Sequence, residues 1–300
     1  MNEDGISARE LFRAVLHHGG PGTYGAVVAP WVERAAGAYR AALARAALPD
    51  GWWNDKATAW GNTPLIRELY ALSRVNDALL VAFQPAGEAP SEEPWARRLP
   101  PPDQWPGASF VEYLEGFTAL GMTPFDHTVF DPFHHEIVEV RQADDPDAPI
   151  QVTEVAWPGL MLGDLLFSRA GVRVRAGRNH AQRGVADRFP LYWAHRRSYR
   201  PAVDLSHGWG SNSQWATDLR LDYRTTTSPL LNVAEDGDID LPADLYGEAA
   251  LLTPAERREL LRNRCLLRAP EAASALTGMS GWEKDLLPFA WRLPRPRPQR

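Results

Sequence analysis

The spacing of apolar residues changes from a helical to an alternating period about halfway along the chain, and this change limits the folds open to it. In the first 84 residues, apolar side chains recur every three or four positions after helix-capping residues, such as Ser7 followed by Glu10. From about residue 135, valines and isoleucines alternate with polar residues, as they do in half-buried strands. A last helix is predicted after Thr253, which begins another capping pattern. We therefore expect an α+β fold, in which a helical N-terminal part is followed by a mostly antiparallel β-sheet region and a C-terminal helix.

A proline-rich segment indicates where the chain divides. Seven prolines fall within residues 85–106, and no helical or strand period runs through them. The predicted organisation is a helical region over 1–84, a connection over 85–107, an α+β domain carrying the site over 108–292, and a disordered basic tail over 293–300.

Two features of the sheet region are predicted in detail. Residues 135–141 and 150–155 both have strand character, and the polar stretch 144–149 between them indicates a β-hairpin. The clearest alternation covers residues 215–224, where apolar side chains share one face. Acids and bases alternate on the other face, which predicts a solvated ladder of salt bridges formed by Asp218, Arg220, Asp222 and Arg224.

Composition excludes several classes of protein. Cys265 is the only cysteine, so the chain has no intramolecular disulfide and no metal site built from several cysteines, and we expect this thiol to be a core residue. The formal net charge of −6 argues against general nucleic-acid binding, which needs a broad basic face. The sequence contains neither a secretion signal nor an apolar run of membrane-spanning length, so we expect a cytoplasmic protein with no membrane partner.

Histidine is concentrated in one stretch, because six of the eight histidines lie between His127 and His207. His135 and Glu139 have the spacing of two metal ligands on a helix, but the segment is predicted to be a strand, in which four residues span about 13 Å. His134 and Glu136 would instead lie about 7 Å apart on one face of that strand. This face continues with two valines at 138 and 140, so we expect it to point inward, with His135 on the opposite face.

Other polar residues that follow in the chain complete the candidate site. The stretch from His207 to Trp215 contains two glycines that free the backbone, two indoles with flat apolar faces, and neutral donors and acceptors at residues 212–214. This composition suits a loop that contacts a polar ligand. The predicted catalytic residues are His134, Glu136, His180, His195 and His207. The predicted substrate-binding residues are Arg178, Asn179, Arg196, Trp209, Asn212 and Gln214.

Three hypotheses for function compete. In the first, a divalent metal that activates water or a substrate oxygen is bound by His134, Glu136 and one or two of His180, His195 and His207. The leading set of ligands is His134, Glu136 and His207. In the second, one histidine is a general base without a metal, and Arg178 or Arg196 holds an anionic substrate. Both describe an enzyme, for example a hydrolase, acting on a polar small molecule or a peptide. In the third, the tryptophan-rich and arginine-rich stretch is a recognition surface for a protein partner, as in an immunity-type inhibitor protein.

Overall fold

The computed structural model describes residues 7–54, 64–84, 104–188, 219–240, 252–277 and 289–294. Its helices are α1 (Ala8–His18), α2 (Ala29–Leu43), α3 (Pro64–Leu80), α4 (Phe110–Ala119), α5 (Pro254–Asn263) and α6 (Pro270–Thr277). Its strands are β1 (Thr123–Phe125), β2 (His135–Gln142), β3 (Gln151–Trp157), β4 (Gly159–Leu162), β5 (Leu165–Ser168), β6 (Ala170–Ala176), β7 (Asp222–Tyr223), β8 (Leu230–Leu231) and β9 (Trp291–Arg292). The predicted α+β class is therefore confirmed.

Local capping determines where several helices begin. Helix α4 starts after Ser109, whose hydroxyl accepts from the backbone N–H of Glu112 while the Glu112 carboxylate accepts from the backbone N–H of Ser109. Thr253 and Glu256 form the same reciprocal pair at α5. These contacts satisfy N–H groups that lack partners within the first helical turn. No described helix is both long and apolar enough to cross a membrane.

The strands form two sheets. The larger contains six strands in the order β1-β4-β5-β7-β8-β9, and all neighbours in it are antiparallel. The smaller has the order β2-β6-β3, with β6 parallel to β2 and antiparallel to β3. The predicted hairpin of β2 and β3 is therefore wrong, because β6 lies between them.

Charge pairing favours the central position of β6. Arg173 on β6 forms ion pairs with Glu139 on β2 and with Glu154 on β3. An arginine between two glutamates is an attractive cross-strand arrangement, whereas a direct β2–β3 pair would bring acidic strands together.

The strands β4, β5 and β7 of the six-stranded sheet are buried on both faces. On β4, Leu160 and Leu162 pack into a first core with helices α1–α4, whereas Met161 packs into a second core. Leu165 and Leu166 on β5 divide between the cores in the same way. The second core is completed by β2, β6 and α5. The described residues thus form three layers, with helices on one face of the larger sheet and the smaller sheet with α5 on the other.

The solvated salt-bridge ladder expected at 215–224 is wrong where the structure describes it. Strand β7 lies between β5 and β8, and Arg220 and Asp222 are both buried. Only Arg224 is exposed, and it pairs with Asp164 at 3.5 Å. Asp218 and the residues before it lie outside the described residues. Alternation identified the two faces of the strand but did not show that the charged face would also be covered.

The first core joins helices from the 1–84 region to strands from the 108–292 region. Residues 85–103 and 295–300 lie outside the described residues, so the predicted boundary and tail stay predictions. Cys265 is buried in the second core, as expected for a small core residue, and burial raises the pKa of its thiol.

Candidate functional site

The loop between β1 and β2 positions an aspartate–histidine pair. Asp131 Oδ2 lies 2.7 Å from His134 Nδ1. The other oxygen of the carboxylate accepts from the backbone N–H of Phe133 at 3.0 Å, which fixes its orientation. Burial acts to raise the pKa of Asp131, but the hydrogen bonds from His134 and Phe133 outweigh it and lower that pKa below its ordinary value. Asp131 therefore remains ionised near neutrality and accepts the Nδ1 proton of His134.

Aromatic rings enclose the imidazole of His134. The rings of Phe125, His127 and Phe133 meet it edge to face, with centroids 5.2, 5.0 and 4.9 Å away. His134 Nε2 is buried and has no hydrogen-bond partner among the described residues. The side chain as a whole keeps 14% of its surface exposed, and the neighbouring His127 is exposed. The imidazole is therefore held in place through Nδ1, while Nε2 makes no hydrogen bond to the described residues.

His135, in contrast, has both nitrogens engaged. The backbone N–H of Asp131 donates to His135 Nδ1 at 2.9 Å, and a backbone amide can only donate. The proton of the neutral ring is therefore on Nε2, which donates to the carbonyl oxygen of His127 at 2.8 Å. Burial lowers the pKa of His135 below its ordinary value of 6.5. His135 is a neutral structural residue that holds the loop closed, and its buried position contradicts its predicted place on an outward face.

This geometry predicts that the protein loses stability on acidification below about pH 6.5. The unfolded chain then binds a proton at His135 that the folded chain does not, so the free energy of unfolding falls as the pH falls, by at most about 1.4 kcal/mol per pH unit for one proton. The lowered pKa of Asp131 acts in the same direction at more acidic pH, because that group stabilises the fold only while ionised. Urea unfolding at pH 7.5 and pH 5.5 measures the difference.

Two variants separate His135 from the other histidines. His135→Phe removes the titrating group, so its stability should change less between the two pH values than that of the wild type, although it is less stable at both. His180→Gln, in an exposed turn, should keep the wild-type pH dependence. An equal pH dependence in His135→Phe and the wild type would contradict the assignment.

Glu136 lies in different surroundings from His134. It is buried. Its carboxylate acts to raise the pKa of Arg264 and of Cys265, although the burial of those two groups has the larger effect on each. The register of β2 shifts between Ile137 and Glu139, so Val138 packs into the first core while Val140 packs into the second. The predicted continuous inward face through residues 134, 136, 138 and 140 is therefore not observed.

Arg178, Asn179 and His180 lie together in an exposed turn after β6. The Asn179 side chain donates to Asp147 at 2.6 Å, and its backbone N–H donates to Pro146 at 2.9 Å, so this residue attaches the 144–149 loop to the turn. Their hydrogen bonds within the described part of the chain do not involve His134, and their catalytic and substrate-binding roles stay predictions. The remaining candidates lie outside the described residues, namely His195, Arg196, His207, Trp209, Asn212 and Gln214.

A buried charged network, absent from the predictions, lies on the other side of β2. Asp222 Oδ2 is 2.9 Å from Arg169 Nη2 and 3.7 Å from Arg264 Nη2. Its other oxygen accepts from the backbone N–H of Asn232 at 2.8 Å. The side chains of Arg169 and Asp222 are only 1% and 4% exposed. Arg169 Nε also donates to the carbonyl of Pro132 at 3.2 Å, which links the network to the loop that carries His134.

Backbone conformation sets the same network apart. Asn232 and Arg264 are the two non-glycine residues with positive φ in the described part of the chain, at 53° and 55°. Both contact the carboxylate of Asp222. Left-handed backbone costs such residues about 1 kcal/mol or more each, and it persists where surrounding contacts fix it. A sequence signal existed, since Arg169 is the one charged residue in the run from Leu165 to Val172, where Ser168 is the only other polar residue.

Within the described ranges, no three histidine, cysteine, aspartate or glutamate residues are placed to hold a metal ion. The predicted metal site of His134, Glu136 and His207 stays a prediction, because His207 lies outside those ranges. No protein-family model, curated protein or solved structure matches the chain. Function is therefore inferred from the residues themselves.

Proposed function

We propose that the chain is an enzyme in which His134 acts as a general acid–base on a polar small molecule or peptide. The supporting observation is the 2.7 Å hydrogen bond between His134 Nδ1 and Asp131 Oδ2. A carboxylate that accepts from Nδ1 fixes the tautomer in which Nε2 carries the lone pair. The same carboxylate stabilises the imidazolium that forms when Nε2 takes a proton.

The chemistry that suits this pair is hydrolysis. His134 Nε2 takes a proton from an attacking water, and the resulting oxygen nucleophile bonds to the electrophilic centre of the substrate. The bond between that centre and the leaving group then breaks, and the imidazolium gives its proton to the leaving group. The aromatic rings of Phe125 and Phe133 limit the access of bulk water, which strengthens the interaction between the imidazolium and Asp131. A metal-assisted version takes one or two further ligands from His180, His195 and His207. The competing hypothesis of a protein-binding surface rests on Trp209 and its neighbours. Both stay predictions.

The test is a comparison of variants on a panel of ester, phosphoester, glycoside and peptide substrates. We expect the wild type to hydrolyse at least one of them, and His134→Gln to lower kcat by about 10²- to 10⁴-fold, the usual contribution of a general base. Asp131→Asn should cause a smaller loss, since the base remains but loses its orientation. Circular dichroism and thermal unfolding establish that each variant is folded.

His17→Gln is the matched control, because it replaces an exposed histidine in the last turn of α1 that belongs to none of the candidate sites. It should retain wild-type kcat. An activity that persists in His134→Gln would contradict the proposal, as would a folded wild type that turns over no member of the panel.

A further inference from the structure

We propose that Arg169, Arg220 and Arg264 form a binding site for a compact oxyanion, either a phosphate or a carboxylate group. The three residues come from different elements: Arg169 separates β5 from β6, Arg220 precedes β7, and Arg264 follows α5. This site is distinct from the acid–base pair, and it does not depend on a catalytic role for His134.

The first observation is a hydrogen-bond donor on Arg169. Its Nε donates to Pro132 and its Nη2 donates to Asp222, but its Nη1 is buried and has no hydrogen-bond partner among the described residues. A buried guanidinium nitrogen without an acceptor carries a large desolvation cost, so such groups are rare in native structures. An oxyanion oxygen is the acceptor that this nitrogen best fits.

The second observation is that two guanidinium groups converge on one carboxylate oxygen. Asp222 Oδ2 lies 2.9 Å from Arg169 Nη2 and 3.7 Å from Arg264 Nη2. Burial, followed by repulsion from Arg169, lowers the pKa of Arg264 to about 10. An anion would relieve that repulsion.

The third observation is that the arginines of the network differ in how far their side chains are exposed. The Arg169 side chain is 1% exposed, whereas that of Arg264 is 23% exposed. Arg264 is the C-cap of α5, where it adopts a left-handed conformation and lies beside Asp222. Guanidinium groups present paired N–H donors that match the oxygens of phosphate and carboxylate. Arg264 is therefore the arginine of this group that an anion from solvent would meet first.

The test is isothermal titration of the full chain with inorganic phosphate and, separately, with acetate, at ionic strength held constant with chloride. We expect saturable one-to-one binding of at least one probe, and the probe that binds identifies the class of anion. Arg264→Gln should weaken that binding by at least about tenfold, as the loss of one charge-assisted hydrogen bond does. Arg264 is preferred to Arg169 because its partial exposure makes the variant easier to fold.

Arg262→Gln is the matched control, since Arg262 is an exposed arginine of the same helix and packs over the Trp291 ring. It should bind the probe as the wild type does. His134→Gln should also bind normally, so a failure of the catalytic proposal would leave this one standing. The proposal of an anion site would be overturned if neither probe bound the wild type saturably, or if Arg264→Gln kept wild-type affinity.

Discussion

Asp222→Ala is expected to lower the free energy of unfolding by about 3 to 5 kcal/mol, the usual result of removing one partner from a buried ion pair. The Asp222 carboxylate accepts hydrogen bonds from Arg169 and from the backbone N–H of Asn232, and it lies beside Arg264. Without it, Arg169 remains buried with its charge uncompensated by any carboxylate in direct contact. Much of the loss is this desolvation penalty and not the value of the ion pair itself. Urea unfolding followed by tryptophan fluorescence measures it.

Asp164→Ala is the control for that experiment. Asp164 also pairs with an arginine next to β7, Arg224, but both side chains are well exposed and the distance is 3.5 Å. Exposed pairs of this kind contribute about 0 to 1 kcal/mol. If Asp222→Ala costs no more than Asp164→Ala, the network around Asp222 does not stabilise the fold.

The helix starts could be predicted because their causes are local. Ser109 with Glu112 and Thr253 with Glu256 lie three residues apart, and each pair satisfies N–H groups of its own helix. No distant residue is needed to recognise them. The α+β class followed from the same local information, together with the change of apolar period.

Strand pairing could not be predicted in this way. The sequence between β2 and β3 has the composition of a hairpin loop, but β6, which follows β3 in the chain, occupies the position between them. Its central residue Arg173 pairs with glutamates on both neighbours. Whether two strands are adjacent depends on which third strand competes for the same edge, and that information is not local.

The candidate site was predicted in part. His134 was identified from its place in the histidine-rich stretch, but strand spacing pointed to Glu136 as its partner, whereas the structure supplies Asp131 from the preceding turn. Arg220 and Asp222 were assigned to a solvated face because alternation tells which residues share a face and not what covers it. The covering element, α5 with Arg264 at its end, lies about forty residues further along the chain.

A close contact beside Arg169 gives the second large expected effect. Trp157 is fully buried, and its indole N–H donates to the carbonyl of Arg169 at 3.1 Å. Trp157→Ala is therefore expected to cost about 3 to 5 kcal/mol through the cavity it leaves. Gly171 faces the same ring, and a Cβ there would lie 2.2 Å from an indole carbon. Gly171→Ala should cost about 1 to 3 kcal/mol by overpacking.

The two substitutions should not be additive, and their coupling identifies the contact. Once Trp157 is alanine, the added methyl group at position 171 enters the space that the indole has left, so the double variant should be more stable than the sum of the single losses predicts. Gly37→Ala is the matched control, because its Cβ meets nothing within 4 Å in the interior of α2 and alanine favours helix there by about 0.5 to 1 kcal/mol. Gly37→Ala should raise the free energy of unfolding by the same amount in the wild type and in Trp157→Ala. Strict additivity between positions 157 and 171 in urea unfolding would show that the indole and Gly171 are not in contact.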